Sequence, residues 1–256
     1  MIHIKTALEL EIMADGGKIL AGIMKKLEKE VKPGIKTMEI ERLAEKLILE
    51  SGNISSFKGY SGSGGEPAEP FPNCLCVSIN EQVIHGIPSD RILKQGDMIS
   101  LDLGIYHQGF HSDMARTFAV GKVSFLAEKL IKVTKEALNE AIKYAQIGNS
   151  FGDIEWITQN YVESQGFNVV RQFCGHGIGK ELHEDPQILN FGQKGTGPKI
   201  KQGMVFCIEP MVTAGNWQLE QSADGFAFET IDKSLSCHFE DMVAITKNGY
   251  LVLTKY

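Results

Sequence analysis

Between residues 6 and 30 the apolar positions Leu10, Met13, Ile19, Leu20, Ile23, Met24 and Leu27 recur at helical spacing, and Pro33-Gly34 ends the pattern. A second helix is predicted from Thr37, read as its N-cap, to about Ser51, with Gly52 stopping it. The stretch SGSGGEPAEPFPN at 61–73 carries the Gly, Pro and Ser of a loop and reads as an insertion within folded sequence. Strand-like runs follow: CLCVSIN, DMISLDLGIY and FHSDMARTFAV. Ser124 is placed to cap a long helix to about Gln146, closed by Gly148. Another helix runs from Ser150 to Gln165, ahead of Gly166. The last third returns to strands, MVFCIEPMV and FEDMVAIT, with Asn248-Gly249 marking a hairpin turn before YLVLT. The expected class is α+β, with helices on one side of a largely antiparallel sheet and the whole chain, 1–256, as one domain.

Residues 93–102, LKQGDMISLD, align without a gap to residues 200–209, IKQGMVFCIE. Each copy runs from Lys-Gln-Gly through an apolar strand to a carboxylate six residues after the glycine. Each half also holds a His-Gly-Ile, at His85 and at His176. The repeat predicts two related halves that both donate to one central site.

Composition narrows the class. With 43% apolar residues the chain can bury a sizeable core, and its net charge of -6 argues against a nucleic-acid surface. Five cysteines, an odd number with no CxxC, read as reduced thiols of a cytoplasmic protein. There is no signal-peptide profile and no apolar run near the roughly 18 residues of a membrane span.

The candidate chemistry lies in Asp102, Asp113, His176, Glu209 and Glu240, each in its own short signature: SLDLG, HSDMARTF, CGHGIGKELHE, CIEPM and CHFED. Four carboxylates and one imidazole suit two divalent cations, whose positive charge the carboxylates balance. A turn at His107-Gln108 would set Asp102 directly opposite Asp113, where two like charges are unfavourable unless a cation lies between them. The glycines around His176 allow close backbone approach. Glu209 ends an apolar run, and a buried charge there needs a partner or a metal. Taken singly, each of these residues reads equally as a surface or strand-end charge.

Together the motifs GHGIGKELHEDPQILNF, SINEQVIHGIP, LDLG with HSD beyond it, CIEPM and DGFAFETIDKSLSCHFED resemble those of type I methionine aminopeptidases, from about residue 4 to the C-terminus. The resemblance implies the pita-bread fold, an α/β arrangement of pseudo-twofold halves, which would account for the repeat. It implies two divalent ions (Co, Mn, Fe or Zn) held by Asp102, Asp113, His176, Glu209 and Glu240, with Asp113 and Glu240 bridging. His85 would contact substrate near the scissile amide, His183 would stabilise the oxyanion, and Glu209 would shuttle the proton. A hydroxide held by the cations would attack the first peptide bond of methionyl peptides and nascent polypeptides whose second residue is small. Phe71, Cys76, Leu182, Met211 and Phe226 match the methionine pocket, with His85 and His183 beside it.

Departures from the family pattern are Phe226 for a common Trp, Leu182 for a common Phe, Asp241-Met242 for His-Thr, and the 61–70 insertion. No amino-terminal docking extension is expected. Ribosome association is the partner that the resemblance adds, and a monomer is expected. The alternatives are an Xaa-Pro aminopeptidase or dipeptidase of the same fold, and a non-catalytic binding protein built on it.

Overall fold

A computed structural model describes residues 1–62 and 69–256, so 63–68 of the predicted insertion lie outside the described residues. In chain order the first half contains α1 (Ala7–Glu28), α2 (Thr37–Glu50), β1 (Ile54–Ser55), β2 (Leu75–Ile79), β3 (Gln82–Ile84), β4 (Met98–His107) and β5 (Phe110–Ala119). Then come α3 (Phe125–Tyr144), α4 (Phe151–Ser164), β6 (Asn168–Val169), β7 (Cys174–Gly177) and β8 (Glu184–Leu189). The chain ends with β9 (Val205–Ile208), β10 (Met211–Thr213), β11 (Leu219–Gln221), β12 (Phe228–Thr230), β13 (Ser236–His238), β14 (Asp241–Thr246) and β15 (Gly249–Val252).

Local chemistry explains the helix starts. Thr6 caps α1 and Glu9 returns the bond to the Thr6 N–H at 2.8 Å, a reciprocal capping box. Ser124 caps α3 through the Ala127 N–H, and Ser150 pairs with Asp153 at the start of α4. Thr37 departs from expectation: it is the first residue of α2, and Lys36 takes the cap position. Its hydroxyl is already committed elsewhere, donating to Ser89 O at 2.9 Å and accepting from Ser89 N at 2.8 Å. Glu39 satisfies the Lys36 N–H instead, at 2.9 Å.

Every strand pairing among the described residues is antiparallel. The central strand β4 pairs with β5 along one edge and with β2 and β1 along the other. A second sheet runs in the order β15-β14-β9-β7-β8. Helices α1 and α2 cover the first sheet, where Leu20, Met24, Ile40 and Ile48 meet Leu75, Val77, Leu101, Leu103 and Ile105. Helices α3 and α4 cover the second half, where Leu130, Leu138 and Phe151 meet Phe206, Ile208, Val212 and Val243. Because side chains alternate along a strand, the residues between these, Cys76 and Asp102 among them, point to the opposite, inward face.

The two halves reproduce the sequence repeat. Lys94-Gln95-Gly96 and Lys201-Gln202-Gly203 both turn into a strand, with Gly96 at φ 99° and Gly203 at φ 84°. The strands they enter, β4 and β9, pair with β5 and β14 respectively. The Glu240 N–H donates to Ala115 O at 2.9 Å and joins the halves at the seam.

Two hairpins differ from expectation by one residue. The β4–β5 turn is Gln108-Gly109, not His107-Gln108, because a two-residue turn requires positive φ at both centres, here 47° and 95°. Asp102 therefore faces Ala115, and Gly104 faces Asp113. Similarly, Thr246 pairs with Gly249, so Lys247-Asn248 forms the last turn and Gly249 opens β15.

Candidate metal centre

With the corrected register Asp102 and Asp113 are diagonal neighbours on one face, close enough to converge without lying opposite. Glu240, just ahead of β14, completes the group: carboxylate oxygens of Asp102, Asp113 and Glu240 all lie within 4.8 Å of one another. A second group sits alongside, where donor atoms of His176, Cys207 and Glu240 also fall within 4.8 Å. Glu209 Oε1 faces His176 Nε2 at 3.6 Å. All five sequence-predicted ligands thus meet, and Glu240 belongs to both groups.

Close backbone packing brings His176 in. A Cβ at Gly175 would sit 2.4 Å from Cys207 O, and one at Gly177 2.0 Å from Asp185 O, so neither position admits a side chain. His176 Nδ1 donates to the Gly177 carbonyl at 2.9 Å, which leaves the Nε2 lone pair free as a ligand. Burial lowers the His176 pKa to about 4, so the ring is neutral and ready to ligate.

The donor set fits divalent cations. Asp102 Oδ1, Asp113 Oδ1 and Glu240 Oε1 are buried with no hydrogen-bond partner, an arrangement that a cation satisfies. Burial pushes the Asp102 carboxyl up to about 6. Asp113, Glu209 and Glu240 rise well above the usual carboxylate range, through burial first and mutual repulsion second. Bound cations would reverse these shifts. The Cys207 thiol, buried among these carboxylates, is held well above its ordinary pKa and stays protonated.

The centre forms the floor of a cavity of about 650 Å³. Phe71, Cys76, His85, Leu182, His183 and Phe226 all line it, as the sequence predicts. The Phe71 and Phe226 rings meet edge to face at 5.9 Å. Met211 is not brought to the wall. It is fully buried in β10 and packs behind it with Val83, Ile84, Val170 and Leu219. His85 has φ 58° and its ring packs edge-on against the Phe173–Phe228 pair, at 5.7 and 6.3 Å. His85 and His183 open onto the cavity while protein crowds them on the other sides, and that desolvation lowers both pKa values, His85 to about 4. His183 Nδ1 lies 2.6 Å from the Tyr60 hydroxyl.

Sequence reasoning passed over Tyr60, Phe173, Phe228, His238 and Arg116. Only His238 left a readable trace, since it lies two residues before Glu240 in the same CHFED signature. Arg116 pairs with Asp241 at 2.6 Å and also donates to the carbonyls of Ala115 (2.9 Å) and Glu240, fastening the backbone of a ligand.

Comparison with known proteins agrees with this geometry. The model of metallopeptidase family M24 matches residues 11–247. A methionine aminopeptidase of Clostridium perfringens is 47% identical over 254 residues, covering 99% of both chains. The crystal structure of methionine aminopeptidase from Thermotoga maritima superposes with a TM-score of 0.95 at 40% identity, covering 100% of both chains. A prolidase from Pyrococcus furiosus is more distant, with a TM-score of 0.78 at 25% identity, and this chain covers 65% of it. The chain belongs to metallopeptidase family M24 and, within it, to the methionine aminopeptidases.

Proposed function

We propose that residues 1–256 form one catalytic domain that holds two divalent cations and removes the N-terminal methionine of peptides and nascent chains whose second residue is small. The observation that carries the reading is the convergence of five donors on a shared Glu240 beneath a cavity lined by Phe71, Cys76, Leu182 and Phe226. Asp102, Asp113 and Glu240 would hold one cation; His176, Glu209 and Glu240 would hold the other. Cobalt, manganese, iron and zinc all suit this set.

Bound divalent cations supply an activated water near neutral pH and a Lewis acid for the carbonyl. The protein does the rest. The apolar wall would take an unbranched, adaptable thioether side chain, and the family resemblance adds a small following residue. Glu209, a buried carboxylate beside the cations, would accept the proton of the attacking water and return it to the leaving amine. With Tyr60 as the donor to His183 Nδ1, 2.6 Å away, the ring proton would rest on Nε2 to meet the developing oxyanion. His85, packed against the Phe173–Phe228 pair, addresses the scissile amide from the other side.

Asp102, Glu209 and Glu240 being intact supports an enzyme over a non-catalytic binding module. No helix among the described residues is long and apolar enough to cross a membrane. The five free thiols fit a reducing cytoplasm. The test is a hydrolysis panel of Met-Ala, Met-Leu and Xaa-Pro peptides with manganese, iron, cobalt and zinc, metal content being measured in parallel. Cleavage of Met-Ala over Met-Leu is expected. A chain that binds no divalent ion and cleaves none of them refutes the reading, and preference for Xaa-Pro replaces it with the prolidase-like one.

A further inference from the structure

Five buried polar atoms lack a hydrogen-bond partner among the described residues: Asp102 Oδ1, Ser112 Oγ, Asp113 Oδ1, His238 Nε2 and Glu240 Oε1. Cations account for the three carboxylate oxygens. They do not account for His238 Nε2, a nitrogen on a side chain only 2% exposed. This nitrogen faces Glu209 Oε2 at 3.4 Å, while the other oxygen, Oε1, faces His176 Nε2 at 3.6 Å. Glu209 therefore lies between two imidazoles, one from β7 and one from β13.

The His238 backbone is clamped. Its N–H donates to Thr117 Oγ1 at 3.0 Å, and the same hydroxyl donates to His238 O at 2.8 Å. Ser100 Oγ lies 2.7 Å from Thr117 Oγ1 and locks that hydroxyl in turn. His238 also pairs with Met211, two residues past Glu209. The ring is thus aimed at Glu209 from a fixed base. A bare imidazole nitrogen facing a carboxylate oxygen would oppose lone pair to lone pair, so the proton belongs on Nε2. A closure of about 0.5 Å would bring the pair to an ordinary N–H···O length.

We propose that His238 is a positioning residue for Glu209: its Nε2–H holds Oε2 and so keeps Oε1 on the His176 side, where a cation is ligated and a proton received. The inference rests on the metal-centre reading above. Groups that orient a ligand typically change metal affinity or activity by about 10–100-fold when removed.

The experiment compares wild type with His238→Leu, which fills the volume without a donor, and His238→Gln, which restores an N–H. Manganese affinity is measured by titration calorimetry on the metal-stripped chain without substrate. Thermal midpoints are read in the absence of metal, and kcat and KM on a Met-Ala peptide. The leucine variant is expected to bind manganese roughly 10–100-fold more weakly and to lose kcat rather than gain KM. The glutamine variant is expected to recover most of both. Should the leucine variant not fold, His238→Phe replaces it with the same readouts. Wild-type affinity and kcat in the apolar variant overturn the proposal, and so does a glutamine variant as impaired as the apolar one. A wild-type chain that binds manganese yet cleaves no methionyl peptide would sink the substrate reading and leave this one standing.

Discussion

Arg116→Met should be among the most damaging single changes outside the ligands themselves. The guanidinium is 7% exposed and its partner Asp241 11%, so this is a buried pair. It donates at 2.6 Å to Asp241 and also to the carbonyls of Ala115 and Glu240. Methionine fills the space but leaves Asp241 with the Thr254 hydroxyl alone, at 2.8 Å. Breaking a buried pair by deleting one member costs about 3–5 kcal/mol, because the remaining charge stays uncompensated. For a chain of this length that is a fall of roughly 6–20 °C in thermal midpoint. Burial already holds the Asp241 carboxyl above its ordinary value of 3.8, with Arg116 pulling it back down. Without Arg116 the folded-state pKa rises further. The penalty is then absent below the unfolded value and fully present above the folded one, so the variant should lose less at about pH 5 than at about pH 7.5. Urea denaturation of the metal-free chain at both pH values reads this directly. The double variant Arg116→Met/Asp241→Leu should regain most of the loss, since a packed apolar pair replaces an ionic one at little cost. A loss below about 1 kcal/mol, the size of an exposed ion pair, would refute the reasoning. So would a double variant no more stable than the single one.

Three further outcomes are expected. Glu209→Gln should nearly abolish turnover on Met-Ala while leaving the metal-free thermal midpoint unchanged or raised; wild-type turnover would remove Glu209 from its assigned role. Cation binding should expel protons, because burial holds Asp102 up to about 6 and Asp113, Glu209 and Glu240 well above their ordinary carboxylate values. These raised values favour the metal-free fold at acid pH and weaken it as pH rises through about 6, whereas the lowered His176 acts only below its ordinary 6.5. Calorimetry at about pH 6.5 in two buffers of different ionisation enthalpy should therefore show on the order of two protons released per chain, and none would count against the cluster. Gly177→Ala should lose several-fold in metal affinity, since its Cβ would meet Asp185 O at 2.0 Å and displace His176; unchanged affinity by the same titration would contradict that placement.

The helices were readable because their information is local. Thr6 with Glu9, and Ser150 with Asp153, announce their own helix starts within four residues. The five candidate donors were readable as a set because each sits in a distinctive short signature, and the structure brings them together. What escaped depends on distant partners. Thr37 resembles a cap until Ser89, 52 residues away, claims its hydroxyl. The β4–β5 register turns on whether Gln108 accepts a positive φ, which residue type does not decide. The family resemblance alone assigns Met211 to the pocket, and in a strand buried along its whole length nothing in the sequence marks which side meets the cavity. Arg116 and Asp241, 125 positions apart, carry no mark of pairing in the sequence.

The pairing of Arg116 with Asp241 lies at the seam between the repeated halves. Asp102 and Asp113 belong to the first half, His176, Glu209 and Glu240 to the second. Asp102 and Asp113 need Glu240 from the other half to complete their group, and docking the halves concentrates buried like charges. That repulsion opposes folding of the metal-free chain. The seam counters it with groups that carry no ligand role: Arg116 on Asp241, Thr117 clamping His238, and the Glu240 N–H on Ala115 O. A cation bound across the seam contributes in the same direction, about 2.7 kcal/mol at a hundredfold excess over its dissociation constant. The seam contacts and the cations are therefore partly interchangeable supports. Weakening Arg116 or Thr117 should make stability depend more steeply on added metal, whereas an equally destabilising change under α3, such as Leu138→Ala, should shift the metal-free and metal-loaded chains alike.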